Sequence, residues 1–149
     1  MNKFSPRDPN YAERVRDSFQ RQKSMAWIGA ELAYLAPGYC EIRLPHKPEL
    51  TQQHGYIHGG IIGTIGDSAA GYAAYTLMPR DSSVLTIEYK MNLVAPAVGE
   101  WLIARGAVVR AGRTLVVARA DVVVLNSGAE TLCATLLQTL MTMHGRCDQ

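Results

Sequence analysis

Long apolar runs are missing from this sequence. Nowhere do about 18 apolar residues follow one another, so no segment reads as a membrane-spanning helix. A surplus of one charge is missing too. The chain has 15 Lys and Arg against 13 Asp and Glu, a formal net charge of +2, and no basic cluster, which argues against a nucleic-acid partner. Cys40, Cys133 and Cys147 are odd in number and lack CxxC spacing, and they suit a reducing cytosol as inert buried or terminal thiols. The opening MNKFSPRDPN lacks the apolar core of a signal peptide, so a cytoplasmic location is expected. Internal repeats, low-complexity tracts and linkers are absent as well.

What is present suits one globular domain. The 149 residues are 48% apolar and 19% charged, enough for a proper core. The expected organisation is a single domain over 1–149, with a leading segment over 1–24 and a core over 25–149. YAERVRDSFQRQ places Tyr11, Val15 and Phe19 one turn apart, the narrow stripe of a surface helix. WIGAELAYL and YCEIRLP flank Pro37 and Gly38 and predict a hairpin in which Cys40, Ile42 and Leu44 alternate with Tyr39, Glu41 and Arg43. In SSVLTIEYKMNLV, alternation puts Leu85, Ile87, Tyr89, Met91 and Leu93 on one face and Thr86, Glu88, Lys90 and Asn92 on the other. Three more strands follow, separated by RAGR and NSG turns. The expected order is α-β-β-α-β-β-β-β, the last four strands forming a meander.

HGGIIGTIGDSAAGYAAY holds five glycines and one charge, Asp67. The stretch Ile61 to Leu77 is the long non-β segment available to cover the sheet. Gly63, Gly66, Ala70 and Ala73 recur at spacings of three and four and form a stripe with almost no side chains. An interior Gly costs roughly 1 kcal/mol relative to Ala, so close approach of the strands is expected to compensate. That predicts an α+β fold with an antiparallel sheet wrapped around one long helix.

QQHGYIHGGIIGTIGDSAAGYAAY, followed by a strand ending in NLVAPA, resembles the hotdog-fold acyl-CoA thioesterases of the phenylacetate-pathway (PaaI-like) type. The resemblance spans nearly the whole chain, and its most specific element is HGG with an acid nine residues after the His. It implies a hotdog fold with an extra N-terminal helix, and homodimers joined edge to edge, often paired as homotetramers. It also implies hydrolysis of a coenzyme A thioester without metal or cofactor, the coenzyme being part of the substrate. By resemblance, Gly59, within the His58–Gly60 turn, supplies the amide that polarises the carbonyl. Asp67 matches the catalytic carboxylate. Gln52 matches a positioning amide, and Thr86 falls where some relatives carry a Ser beside the acid. Arg110 and Arg113, bracketing Gly112 at a hairpin turn, match basic residues near the nucleotide phosphates.

The residues support that chemistry by themselves. A helix N-terminus offers unpaired amides and a positive dipole end, and glycine there admits a bulky thioester. One such donor in a dry site contributes about 2.7–4 kcal/mol in the transition state. Asp67 can act as general base on water or attack directly to form an anhydride. Gly59 and Asp67 lie eight residues apart, about 12 Å at ~1.5 Å per residue. One chain does not easily bring both to one carbonyl, whereas two antiparallel helices about a twofold axis do. The expectation is a composite site and an inactive monomer.

Simpler roles stand beside these. Asp67 can be a buried cap, Gln52 an ordinary loop residue, Thr86 plain strand surface, and Arg110 with Arg113 a solvated hairpin. His58 is expected to fix the turn into the helix. His54 and His58 lack an intervening Glu and a third ligand, so no metal is expected. Tyr72 and Tyr75 are packing residues or line an acyl pocket, which aryl-acetyl, hydroxybenzoyl and medium-chain groups would all fit. The competing functions are an acyl-thioester hydratase or dehydratase, in which His58 would move protons, and a non-catalytic acyl-CoA-binding protein.

Overall fold

The glycine-rich segment is helical from Gly59 to Tyr75 because a sheet encloses it. The computed structural model describes residues 4–148. In it the leading segment forms α1 (Tyr11–Arg21) and α2 (Lys23–Ile28), and the glycine-rich helix is α3. The strands are β1 (Glu31–Ala36), β2 (Tyr39–Pro45), β3 (Ser82–Leu93), β4 (Trp101–Ala111), β5 (Leu115–Asn126) and β6 (Ala129–His144). They make one six-stranded antiparallel sheet in the order β1-β2-β4-β5-β6-β3. Its inner face and α3 enclose the apolar core, which includes Ile42, Ile65, Leu102, Leu136 and Leu140. None of the described helices is long and apolar enough to cross a membrane.

The compensation expected for α3 comes partly from the strand side. At Gly106 on β4, any Cβ would fall on the Ala69 carbonyl, so it is a strand glycine that admits the helix backbone. Gly66 faces Leu136, whose Cδ1 would lie 2.8 Å from an added Cβ.

Three expectations are corrected. Trp27 and Ile28 belong to α2, not to the first strand. Gly29, at φ 82°, ends that helix in a left-handed cap, and Trp27 is left 79% exposed. The four-strand meander is a three-strand meander, β4-β5-β6. β3 pairs instead with β6 at the sheet edge, and residues 94–100 carry the chain across the end of the sheet. That crossing is held by backbone bonds from Val94 N to Cys133 O (2.9 Å), Ile57 N to Ala97 O (3.1 Å) and Glu100 N to Leu125 O (2.9 Å). Finally, β3 does not keep one alternation. A bulge between Thr86 and Glu88 inserts Ile87 as an extra residue. Thr86 faces α3 before it, and Tyr89 and Met91 face α3 after it.

The α1 stripe docks as its spacing predicts. Val15 is buried, and Phe19 meets the Tyr72 ring edge-on at 5.8 Å. Arg14 adds an anchor that the stripe does not announce. Its guanidinium donates to the carbonyls of Tyr75 (3.2 Å), Met78 (2.9 Å) and Pro79 (2.7 Å), and pairs with Asp8 at 3.1 Å. It thereby satisfies carbonyls at the negative end of α3.

Candidate active site

The amides at the start of α3 can be accounted for one by one. His58 is the N-cap, and its own N–H donates to Leu50 O at 2.9 Å. The Gly60 N–H donates to His58 Nδ1 at 2.9 Å, and the Ile61 N–H to His58 O at 2.9 Å. That leaves the Gly59 N–H without a partner among the described residues. His58 therefore has the turn-fixing role expected of it, and Gly60 has no free amide to offer. Gly59 borders a hollow of about 350 Å³ walled by Gln52, Tyr56, Ile62, Leu93, Val94 and Pro96. The last two belong to the crossing over the sheet end. Gln52 is held in its loop by a bond from its N–H to Tyr56 O at 2.8 Å, and its Oε1 accepts from the His54 N–H.

Asp67 sits two turns further along α3. Thr86 Oγ1 donates to its Oδ1 at 2.7 Å, and Gln138 Nε2 donates to Oδ1 at 3.1 Å and to the Asp67 carbonyl at 3.3 Å. Its Oδ2 has no hydrogen-bond partner among the described residues. The carboxylate opens on a cleft of about 260 Å³ whose walls include Ser18, Gln22, Tyr72, Val84 and Thr86. Arg21 and Asp148, paired at 3.2 Å, also line it. Tyr72 shares a 3.3 Å hydrogen bond with Ser18, and burial raises its phenol, keeping it neutral. Burial also raises the Cys40 thiol, and that of Cys133 to about 11, so neither supplies a thiolate nucleophile.

The structure brings together Asp67 and Thr86, and separately Gly59 and Gln52, on two hollows with no lining residue in common. Arg110, Gly112 and Arg113 border neither. They form the β4–β5 hairpin end, where the Gly112 N–H donates to Leu115 O at 2.8 Å and both arginines are exposed. No hydrogen bond or ion pair engages either guanidinium among the described residues. Tyr72 and Tyr75 are both buried, and of the two only Tyr72 reaches the cleft. Ser18, Gln22 and Gln138 are additions to the expected set. Gln138 carries a signal in the sequence, as a polar residue between Leu136 and Leu140 in an inward-facing row.

A sequence profile of the thioesterase superfamily matches residues 54–130. A Halobacterium salinarum protein with a provisional esterase name is 34% identical over 66% of this chain and 68% of its own length. A solved thioesterase family protein from Silicibacter pomeroyi is 48% identical, covers 91% of this chain and 99% of that one, and superposes with a TM-score of 0.89. The Escherichia coli PaaI protein of the phenylacetic acid degradation operon shares the fold, with a TM-score of 0.82 at 14% identity over 93% of this chain and 96% of that one.

Proposed function

Because the chain belongs to the thioesterase superfamily, with a PaaI-like hotdog fold, we propose that it hydrolyses acyl-coenzyme A thioesters at a site shared between two copies. The observation that carries this reading is the division of labour along α3. One end presents a Gly59 amide without a partner among the described residues and the middle an oriented Asp67 carboxylate, each on its own hollow. Antiparallel pairing of two chains would join the hollow of one to the cleft of the other.

In the joined site the Gly59 N–H grips the thioester oxygen as it gains negative charge. Asp67 either takes a proton from the attacking water or attacks the carbonyl carbon itself. In the first route the tetrahedral adduct expels the coenzyme A thiolate and leaves the free acid. In the second, thiolate departure leaves an acyl–aspartyl anhydride, which water then splits to acid and carboxylate. Arg110 and Arg113 are proposed to meet the nucleotide phosphates. His58 Nδ1 accepts the Gly60 N–H, so in this reading the ring fixes the turn that presents the Gly59 amide.

Co-expression of Gly59→Val and Asp67→Ala chains tests the shared site. Each variant alone is expected to be inactive. In a random mixture half the dimers are mixed and each has one intact site, so about a quarter of the parental activity should return. Failure of the mixture to exceed its components would refute sharing.

A further inference from the structure

We infer that Gln138 is a positioning residue that locks the Asp67 carboxylate in its reactive orientation; this rests on the role proposed for Asp67 above. Gln138 lies on the inner face of β6 between Leu136 and Leu140, and all three are at most 1% exposed. A polar amide in such a row is costly unless its hydrogen bonds are made, and here only one end is satisfied. Nε2 donates to Asp67 Oδ1 and to the Asp67 carbonyl. Both atoms are acceptors, so the amide must present its NH₂ to them, which turns Oε1 away. That Oε1 is buried and has no hydrogen-bond partner among the described residues. An apolar side chain of similar length would fill the row without stranding an acceptor. Stability of the row therefore does not account for glutamine, whereas geometry at Asp67 does.

The amide bridges the carboxylate and the main-chain carbonyl of the same residue, a closed arrangement that restrains both side-chain torsions of Asp67. Thr86 approaches the same Oδ1 from β3. Oδ2 is left as the oxygen available to a water or to a carbonyl carbon. The groups that meet Asp67 from β3 and β6 are neutral. The charged or titratable groups on its cleft are Arg21 and Asp148, which pair with each other, and Tyr72, held neutral by burial.

The test uses the full chain with Gln138→Met, Gln138→Glu and Asp67→Asn, assayed for thiol release over a panel of acyl-CoA esters. Gln138→Met is expected to lower kcat by roughly tenfold or more, with KM within about twofold and thermal stability kept or raised. Gln138→Glu sets a second carboxyl against Asp67. Its turnover should be poorest at high pH and recover toward acid, where the pair shares one proton and an O–H replaces the lost N–H. A Gln138→Met kcat within about twofold of the parent, or a Gln138→Glu pH profile matching the parent's, overturns the inference. Should Gln138→Met fail to fold, the isosteric Gln138→Glu decides alone. Turnover surviving in Asp67→Asn would sink the carboxylate reading and this inference together. A dead Asp67→Asn beside an unaltered Gln138→Met removes only the positioning role.

Discussion

Thr86 reaches Asp67 at 2.7 Å because β3 contains one residue more than its partner β6 opposite that point. Strict alternation with Thr86 inward would also turn Glu88, Lys90 and Asn92 onto α3, and the opposite choice would turn Thr86 away. The bulge at Ile87 uses one row before it and the other after it, so a hydroxyl and the apolar Tyr89 and Met91 share the inner face. Thr86→Val keeps the shape and removes the donor. A hydrogen bond to a charged group contributes about 1.5–3 kcal/mol, so kcat should fall about ten- to a hundredfold while Thr86→Ser stays near the parent. Steady-state thiol release decides it, and equal rates for Val and Ser would show the hydroxyl to be dispensable.

Much of the fold is legible in the sequence because the helix is unusual. A run of Gly and Ala with a lone acid has no use on a surface, and enclosure follows from its weak propensity. The neighbour of β3 is not legible. The expected meander makes residues 95–99 a simple turn between neighbouring strands, and the long-range bonds to Cys133 and Leu125 that make the segment a crossing leave no local pattern. Asp67 and Gly59 stand out through the motif around them. Gln138 is visible only as a break in an apolar row, since the carboxylate it serves lies 71 positions earlier. Arg14 reads as one more charge on a polar face because its acceptors are main-chain carbonyls.

Gly59 borders its hollow and is also crowded. An added Cβ would lie 2.9 Å from Leu93 Cδ1, the far end of a flexible side chain. Gly59→Ala should therefore fold, with a cost of about 1–3 kcal/mol at most, and narrow the hollow. Turnover should drop and be partly restored by adding Leu93→Ala. If the double variant is no better than Gly59→Ala, crowding by Leu93 is not the cause.

The two glycines at the helix–sheet contact should differ sharply. Gly106→Ala drives a methyl onto the Ala69 carbonyl, which cannot move without displacing α3. A loss above about 4 kcal/mol, or no soluble protein, is expected. Gly66→Ala meets only the Leu136 side chain and should cost about 1–3 kcal/mol. Thermal unfolding of both variants checks the order, and a Gly106→Ala protein as stable as Gly66→Ala would contradict the close approach.

Arg14 ties α1 to the end of α3, and Asp8 beside it is only 4% exposed. Arg14→Met keeps the packing but strands a buried carboxylate and three carbonyls. Breaking a buried pair from one side typically costs about 3–5 kcal/mol, which for a chain of this size lowers Tm by on the order of 10 °C. Arg14→Met with Asp8→Asn should recover part of that loss. Calorimetry of the single and double variants tests it, and additive losses would mean that the pair contributes nothing.

Arg110 and Arg113 lack acceptors among the described residues and stand exposed at a hairpin end, so removing them should leave folding unchanged to within about 0.5 kcal/mol. Their proposed role is in holding phosphate, which predicts a selective defect. Arg113→Ala and Arg110→Ala should raise KM for acyl-CoA several-fold at low salt, with the parent and variants converging as ionic strength rises and screening shortens the reach of the charge. The same acyl group on pantetheine, which lacks the nucleotide phosphates, should show the same KM with either enzyme. An equal rise for both substrates would place the arginines in the fabric of the site and not on the nucleotide, and no rise for either would leave the hairpin as solvated surface.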